Sequence, residues 1–178
     1  MRLFIGTFAD SSLFEIIYPE LKDNFSESLR GKWVELENLH FTYKFLGEVN
    51  EDKASEIKDD LSPLLTEYNA FLQFRGISAF PSLSRPKVMF AGVYSEDNLV
   101  KKLHAGIDEK LNKFGFEKDK RDFTPHLTLV RIKEYSAKEF KKAAGAYKDH
   151  DFGMMPRFRI SLIKSINTSQ GPVYSLLD

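Results

Sequence analysis

The sequence predicts an α+β fold built on antiparallel sheets, and two observations carry that prediction. Predicted strands and helices alternate, but the strands come partly in pairs, which favours hairpins over the strand–helix–strand rhythm of a parallel sheet. A short pattern, His-x-Thr, also occurs twice, at His40/Thr42 and His126/Thr128, 86 residues apart in a chain of 178. Spacing near half the chain suggests two related halves, each with a motif strand followed by a helix.

The elements follow from periodicity and punctuation. Leu3 to Phe8 is a first strand. Ser11 or Ser12 caps a helix carrying Leu13, Ile16, Ile17, Leu21, Phe25 and Leu29 on one face, with Pro19 as a possible kink and Gly31 as its stop. Trp33 to Leu36 reads as a short strand, Glu37-Asn38 as a turn, and Leu39 to Leu46 as an aromatic-rich strand. Asn50 caps a helix running toward Tyr68, although Pro63 weakens its last turn. Phe71 to Ile77 and Lys87 to Tyr94 are strands separated by a loop, Phe80 to Pro86. Asp97 to Phe114 is a helix with Leu99, Leu103, Ile107 and Leu111 at spacing four, stopped by Gly115. Phe123 to Ile132 holds the second motif strand. Ser136 to Tyr147 is a helix with a Ser136/Glu139 capping box. Arg157 to Ile166 and Val173 to Leu177 close the fold around a turn at Gly171-Pro172.

Composition excludes several classes. Lys plus Arg and Asp plus Glu are both 26, so the formal charge is zero. A protein that coats nucleic acid nonspecifically carries a basic excess, so any such contact here is expected at a local site. The absence of cysteine rules out disulfides, thiolate metal sites and a Cys nucleophile. The first apolar run is too short for a signal peptide, and no segment has the length of a membrane span. A cytoplasmic monomer without a membrane partner is the expectation.

The two motifs carry the chemistry. On a strand, side chains alternate faces, so His40, Thr42 and Lys44 point one way while Phe41, Tyr43 and Phe45 point into a core. His126 and Thr128 likewise share a face opposite Leu127 and Leu129. Opening a cyclic phosphodiester needs a base for water and an acid for the departing alkoxide, on opposite sides of phosphorus. Imidazoles, with an ordinary pKa of about 6.5, supply one neutral and one protonated copy near neutral pH. The threonine hydroxyls can donate to the non-bridging oxygens as charge builds there. No metal is required.

On these residues the chain resembles the 2H phosphoesterase superfamily. Its flanks narrow the resemblance to the bacterial and archaeal RNA 2′,3′-cyclic phosphodiesterases, historically called 2′-5′ RNA ligases. These flanks are Met1-Arg2-Leu3-Phe4-Ile5, Trp33-Val34, Glu37-Asn38-Leu39-His40, Lys44-Phe45-Leu46-Gly47-Glu48, Phe80-Pro81, Arg85-Pro86-Lys87-Val88, Phe123-Thr124-Pro125-His126-Leu127-Thr128-Leu129 and Gly171-Pro172-Val173-Tyr174. The resemblance implies one domain over 1–178 with a two-lobed α+β fold. Two antiparallel sheets related by pseudo-twofold symmetry would flank a central cleft, with helices outside. It implies hydrolysis of RNA 2′,3′-cyclic phosphate ends to 2′-phosphomonoesters, with His40 as proton donor to the leaving 3′-oxygen and His126 as proton acceptor. It further implies 2′-5′ joining of tRNA halves in some members, and no nucleotide cofactor or metal.

The remaining candidates divide. Arg131 stands at a family-typical place for a phosphate contact, but strict alternation turns it away from His126 unless the strand bulges. Lys44 shares the His40 face or is a solvated strand-end lysine; Arg85 and Lys87 are loop cations. His104 and His150 read as surface or boundary residues without ligand-spaced partners, so a metal site is not expected. Two other functions compete: a phosphodiesterase acting on another small cyclic nucleotide, and a non-catalytic module that binds RNA ends. Turnover on mononucleotide against oligonucleotide substrates separates the first, and binding without a bell-shaped pH–rate profile the second.

Overall fold

The computed structural model describes residues 1–169 and 171–177. The strands are β1 (Arg2–Phe8), β2 (Leu29–Trp33), β3 (His40–Glu48), β4 (Glu67–Tyr68), β5 (Leu72–Ser82), β6 (Arg85–Ser95), β7 (His126–Tyr135), β8 (Asp151–Met155), β9 (Phe158–Arg159), β10 (Ser161–Thr168) and β11 (Gly171–Leu176). The α-helices are α1 (Ile17–Asn24), α2 (Glu51–Leu61), α3 (Leu99–Asn112) and α4 (Ala137–Ala146). One sheet has the order β11-β10-β1-β3 and the other β2-β7-β6-β5-β8, every pair antiparallel; β4 and β9 form a separate two-stranded ladder. Strand for strand, β10-β1-β3 in the first sheet matches β5-β6-β7 in the second, and β3 and β7 carry the two motifs. The chain crosses repeatedly between sheets: α1 and β2 serve the second, β3 the first, β5 to β8 the second, and β10 and β11 the first again.

Several boundaries differ from the sequence expectation, each for a physical reason. The first helix shrinks to a 3₁₀ turn at Ser11–Leu13 followed by α1. Pro19 sits in α1's first turn, where its missing N–H costs nothing. Ile16, expected on the buried face, is 91% exposed. Leu29 begins β2 instead of ending a helix. Gly31 is a close-approach residue there: a Cβ on it would lie 2.3 Å from the Arg131 carbonyl on β7. The strand expected at Trp33–Leu36 ends at Trp33, and Leu36–Asn38 is a 3₁₀ turn.

Asn50 does cap α2, accepting the Lys53 N–H at 2.8 Å, but Pro63 ends the helix early and Glu67–Tyr68 is strand. The loop expected at Phe80–Pro86 is mostly strand, a continuation of the β5–β6 hairpin in which Pro81 and Pro86 face each other beside a register shift. Ser136 occupies the N-cap of α4 without any side-chain capping bond, so the capping box with Glu139 does not form. The motif strand β7 starts at His126 and not at Phe123. β8 was not foreseen; the expected strand at Arg157–Ile166 divides into β9 and β10, and Gly171-Pro172 belongs to β11.

The core is aromatic-rich, as expected from sixteen Phe. Phe14, Phe25, Phe41, Phe74, Phe140 and Phe158 are buried completely or nearly so. Tyr18 on α1 donates its hydroxyl to the Val34 carbonyl at 2.6 Å, which pins the helix to the segment leading into β3. Among the described residues no helix is long and apolar enough to cross a membrane.

Candidate active site

Both motifs open onto one cleft of about 1330 Å³ between the two sheets, and His40, Thr42, His126, Thr128 and Arg131 all line it. Side chains alternate between the two faces at the start of each motif strand. Phe41 and Leu127 are buried, while His40, Thr42, His126 and Thr128 are partly open to the cleft.

Each histidine is oriented the same way. His40 Nδ1 donates to the Asn38 carbonyl at 2.6 Å, and His126 Nδ1 donates to the Thr124 carbonyl at 2.8 Å. A carbonyl only accepts, so the proton is fixed on Nδ1 and Nε2 is left for chemistry. Aromatic rings hold the imidazoles from the sides. Phe4, Phe8 and Tyr174 surround His40 at centroid distances of 4.9, 5.9 and 5.0 Å, and Phe80 and Phe90 flank His126 at 4.9 and 5.2 Å. Burial holds the pKa of both imidazoles below the ordinary value against the opposing effect of the carbonyl bonds. The Arg131 charge pushes both further down, and His126 adds a smaller depression at His40, so the three groups share one electrostatic environment.

Beyond the threonines both strands break alternation at the same step. In β3 the pairing with β1 skips Tyr43, and in β7 the pairing with β6 skips Leu129. Each is a bulge that inserts one residue and re-aims the side chains beyond it. On β7 the bulge turns Arg131 onto the face of His126 and Thr128. On β3 it turns Phe45 out of the core, where it was expected, and leaves it 63% exposed in the cleft. Phe45 and Arg131 are both five residues after their histidine, so the halves present an aromatic ring and a guanidinium at equivalent places.

The β3 bulge also overturns the expectation for Lys44. It borders the cleft but is buried there and not solvated, its ammonium 2.9 Å from Asp108 and 3.1 Å from Asp119 and donating to the Glu117 carbonyl at 2.9 Å. Burial opposes its charge, yet the hydrogen bonds to Asp108 and Asp119 carry its pKa above the ordinary lysine value. His104, expected at the surface or its boundary, is buried in the same cluster, its Nε2 3.6 Å from Asp119 and its ring stacked at 3.9 Å on Phe123. His104, Asp108 and Asp119 have the donor types of a cation site, their ligand atoms within 4.8 Å of one another, and the Lys44 ammonium is the cation that Asp108 and Asp119 hold.

Arg85 and Lys87 are exposed at the end of the β5–β6 hairpin; Phe80 and Val88, not these cations, line the cleft. Tyr174, missed as a site residue, faces His40 from β11. Burial raises its pKa, and the opposing charges of Arg131 and Arg2 both reach its hydroxyl. The repeat itself held the missed signal: the offset of 86 that relates the histidines also relates Phe45 to Arg131.

Comparison with known proteins agrees with this geometry. The family model described as LigT like Phosphoesterase matches residues 19–90 and 93–174. A protein from Archaeoglobus fulgidus named RNA 2′,3′-cyclic phosphodiesterase is 39% identical over 98% of this chain and 96% of its own length. A protein of the same name from Methanocaldococcus jannaschii is 38% identical over 99% of this chain and 98% of its own length. Among solved structures, Escherichia coli LigT complexed with 3′-AMP superposes with a TM-score of 0.74 at 21% identity, covering 99% of this chain and 95% of that one, which speaks to the fold. With a motif pair facing one cleft and a family model spanning most of its length, this chain belongs to the LigT-like phosphoesterases of the 2H superfamily.

Proposed function

We propose that the cleft hydrolyses 2′,3′-cyclic phosphate ends of RNA to 2′-phosphomonoesters, and that residues 1–178 act in this as one domain with a motif from each lobe. The observation that carries the reading is the matched pair of imidazoles, each with Nδ1 committed to a backbone carbonyl and Nε2 directed at the shared cleft. Curated relatives named for this reaction, similar over nearly their whole length, support it.

Water attacks phosphorus and gives its proton to neutral His126. The bond from phosphorus to O3′ breaks, and protonated His40 delivers a proton to O3′. The products are a 2′-phosphate and a 3′-hydroxyl. Thr42 and Thr128 donate to the non-bridging oxygens, and the Arg131 guanidinium neutralises the charge they gain in the transition state. Phe45 offers a face on which the terminal base can stack. With the 5′-hydroxyl of another RNA end, such as a tRNA half, in place of water, the same groups would join that oxygen to phosphorus as the bond to O3′ breaks, and so form a 2′-5′ bond.

The experiment is incubation with an oligonucleotide ending in a 2′,3′-cyclic phosphate, with identification of the product isomer. A 2′-phosphate is expected, with undiminished rate in EDTA. His40→Ala and His126→Ala should each lower kcat by roughly 10²–10⁴-fold while circular dichroism stays native. A 3′-phosphate product would reverse the roles given to the two histidines, and full activity in either variant would refute the mechanism.

A further inference from the structure

We propose that Lys32 forms a second phosphate subsite, which binds the phosphate on the 5′ side of the terminal nucleotide and makes the enzyme prefer RNA ends over cyclic mononucleotides. The inference rests on the reading of the cleft as the site for an RNA 2′,3′-cyclic phosphate.

Lys32 lies on β2 directly opposite Arg131 on β7 in the cross-strand register. Residues so paired point to the same face with their Cβ atoms about 5 Å apart, so Lys32 projects beside Arg131 into the same cleft. The two heads then separate. Arg131's charge reaches both imidazoles, whereas the Lys32 ammonium lies 3.7 Å from where a Cβ on Gly171 would stand, at the start of β11 on the opposite wall. Gly171, at φ +139, keeps that space open.

The ammonium has no ion-pair partner among the described residues, in a chain with 26 cations and 26 anions. Its side chain extends across the cleft toward the opposite wall. Of the acids lining the same cleft, Asp119 is already held by Lys44, while Glu35 and Glu37 follow β2 on the segment leading to β3. A phosphate bound at Arg131 therefore has the Lys32 cation one strand away on the same sheet, whereas Arg2, the cleft's other unpaired cation among the described residues, stands on β1 of the opposite sheet. The cleft's volume also exceeds the roughly 300–1,000 Å³ typical of a site for a single small ligand.

The test compares adenosine 2′,3′-cyclic phosphate, its 5′-phosphorylated form, and the dinucleotide ApA with a 2′,3′-cyclic phosphate end, for wild type, Lys32→Ala and Lys32→Arg. Wild type should show a lower KM for the two substrates with a 5′-side phosphate. Lys32→Ala should raise KM for those two roughly tenfold, leave the unphosphorylated mononucleotide and all kcat values unchanged, and reduce the slope of log KM against log salt by about 0.7, the loss of one contact to a single strand. Lys32→Arg should restore both. Equal effects on all three substrates would assign Lys32 to the reacting phosphate or to the fold and overturn the inference, as would no effect on any. An effect confined to the dinucleotide would also overturn it, because the contact would then be with the upstream nucleoside. A wild type inert on all three would remove the proposed function, and the subsite with it, whereas turnover without Lys32 dependence removes only the subsite.

Discussion

His40 and His126 show how little of an active-site side chain's behaviour comes from the residue type alone. Two imidazoles of the same ordinary pKa are both shifted below it by burial and by the Arg131 guanidinium, and each is held by a carbonyl two residues upstream. The depression also has a cost in stability. In the unfolded chain both imidazoles protonate near pH 6.5; in the folded protein they resist until lower pH. Between those values the unfolded state binds more protons, so stability is complete above about pH 6.5 and declines as pH falls below it. Chemical denaturation at pH 7.5 and pH 5.5 should show this decline, and His40→Gln with His126→Gln should reduce it. An unchanged pH dependence in the double variant would show that the two histidines are not the cause.

At the scale of the element, the paired bulges at Tyr43 and Leu129 matter most. One extra residue in each motif strand carries the residue three after the threonine onto the cleft face, Phe45 in one half and Arg131 in the other. The same step sends Lys44 inward to α3 and the segment before β7, where it meets Asp108 and Asp119. That cluster ties β3 to the chain that carries Phe123 and Thr124, and Thr124 provides the carbonyl that orients His126. Lys44→Ala would leave Asp108 buried without its cation. The expected loss is about 3–5 kcal/mol by urea denaturation, far more than for a surface lysine. Lys44→Met combined with Asp108→Asn should recover part of it, since the uncompensated charge is then gone. A loss below about 1 kcal/mol in Lys44→Ala would show that the cluster is not electrostatically coupled.

For the molecule as a whole, charge is balanced overall and uneven locally. With a formal net charge of zero the chain has no overall basic excess with which to hold an RNA body, while Arg131 stands with both motif histidines in one cleft. Recognition should therefore be of the RNA end. A single-stranded oligonucleotide with a 3′-hydroxyl end should compete at least tenfold more weakly than the same sequence with a 2′-phosphate product end, measured as inhibition constants at fixed salt. Equal competition would point to a binding surface along the strand.

The chain's crossings between the sheets explain which parts of this architecture were legible in the amino-acid order and which were not. The two His-x-Thr pairs could be read directly, because alternation on a strand is a local rule that acts between residues two apart. The α+β class and the cap at Asn50 were readable for the same reason, whereas the helix expected to run to Tyr68 ends at Leu61. Phe45, Arg131 and Lys44 were not, because a bulge shows itself only in the pairing with a neighbouring strand, and a one-residue shift inverts every face after it. The Lys44 cluster depends on partners more than sixty residues away, and β2 reads as helix until Gly31 is seen against Arg131. Local sterics and periodicity named the chemical groups; contacts between distant strands set which of those groups face the phosphate.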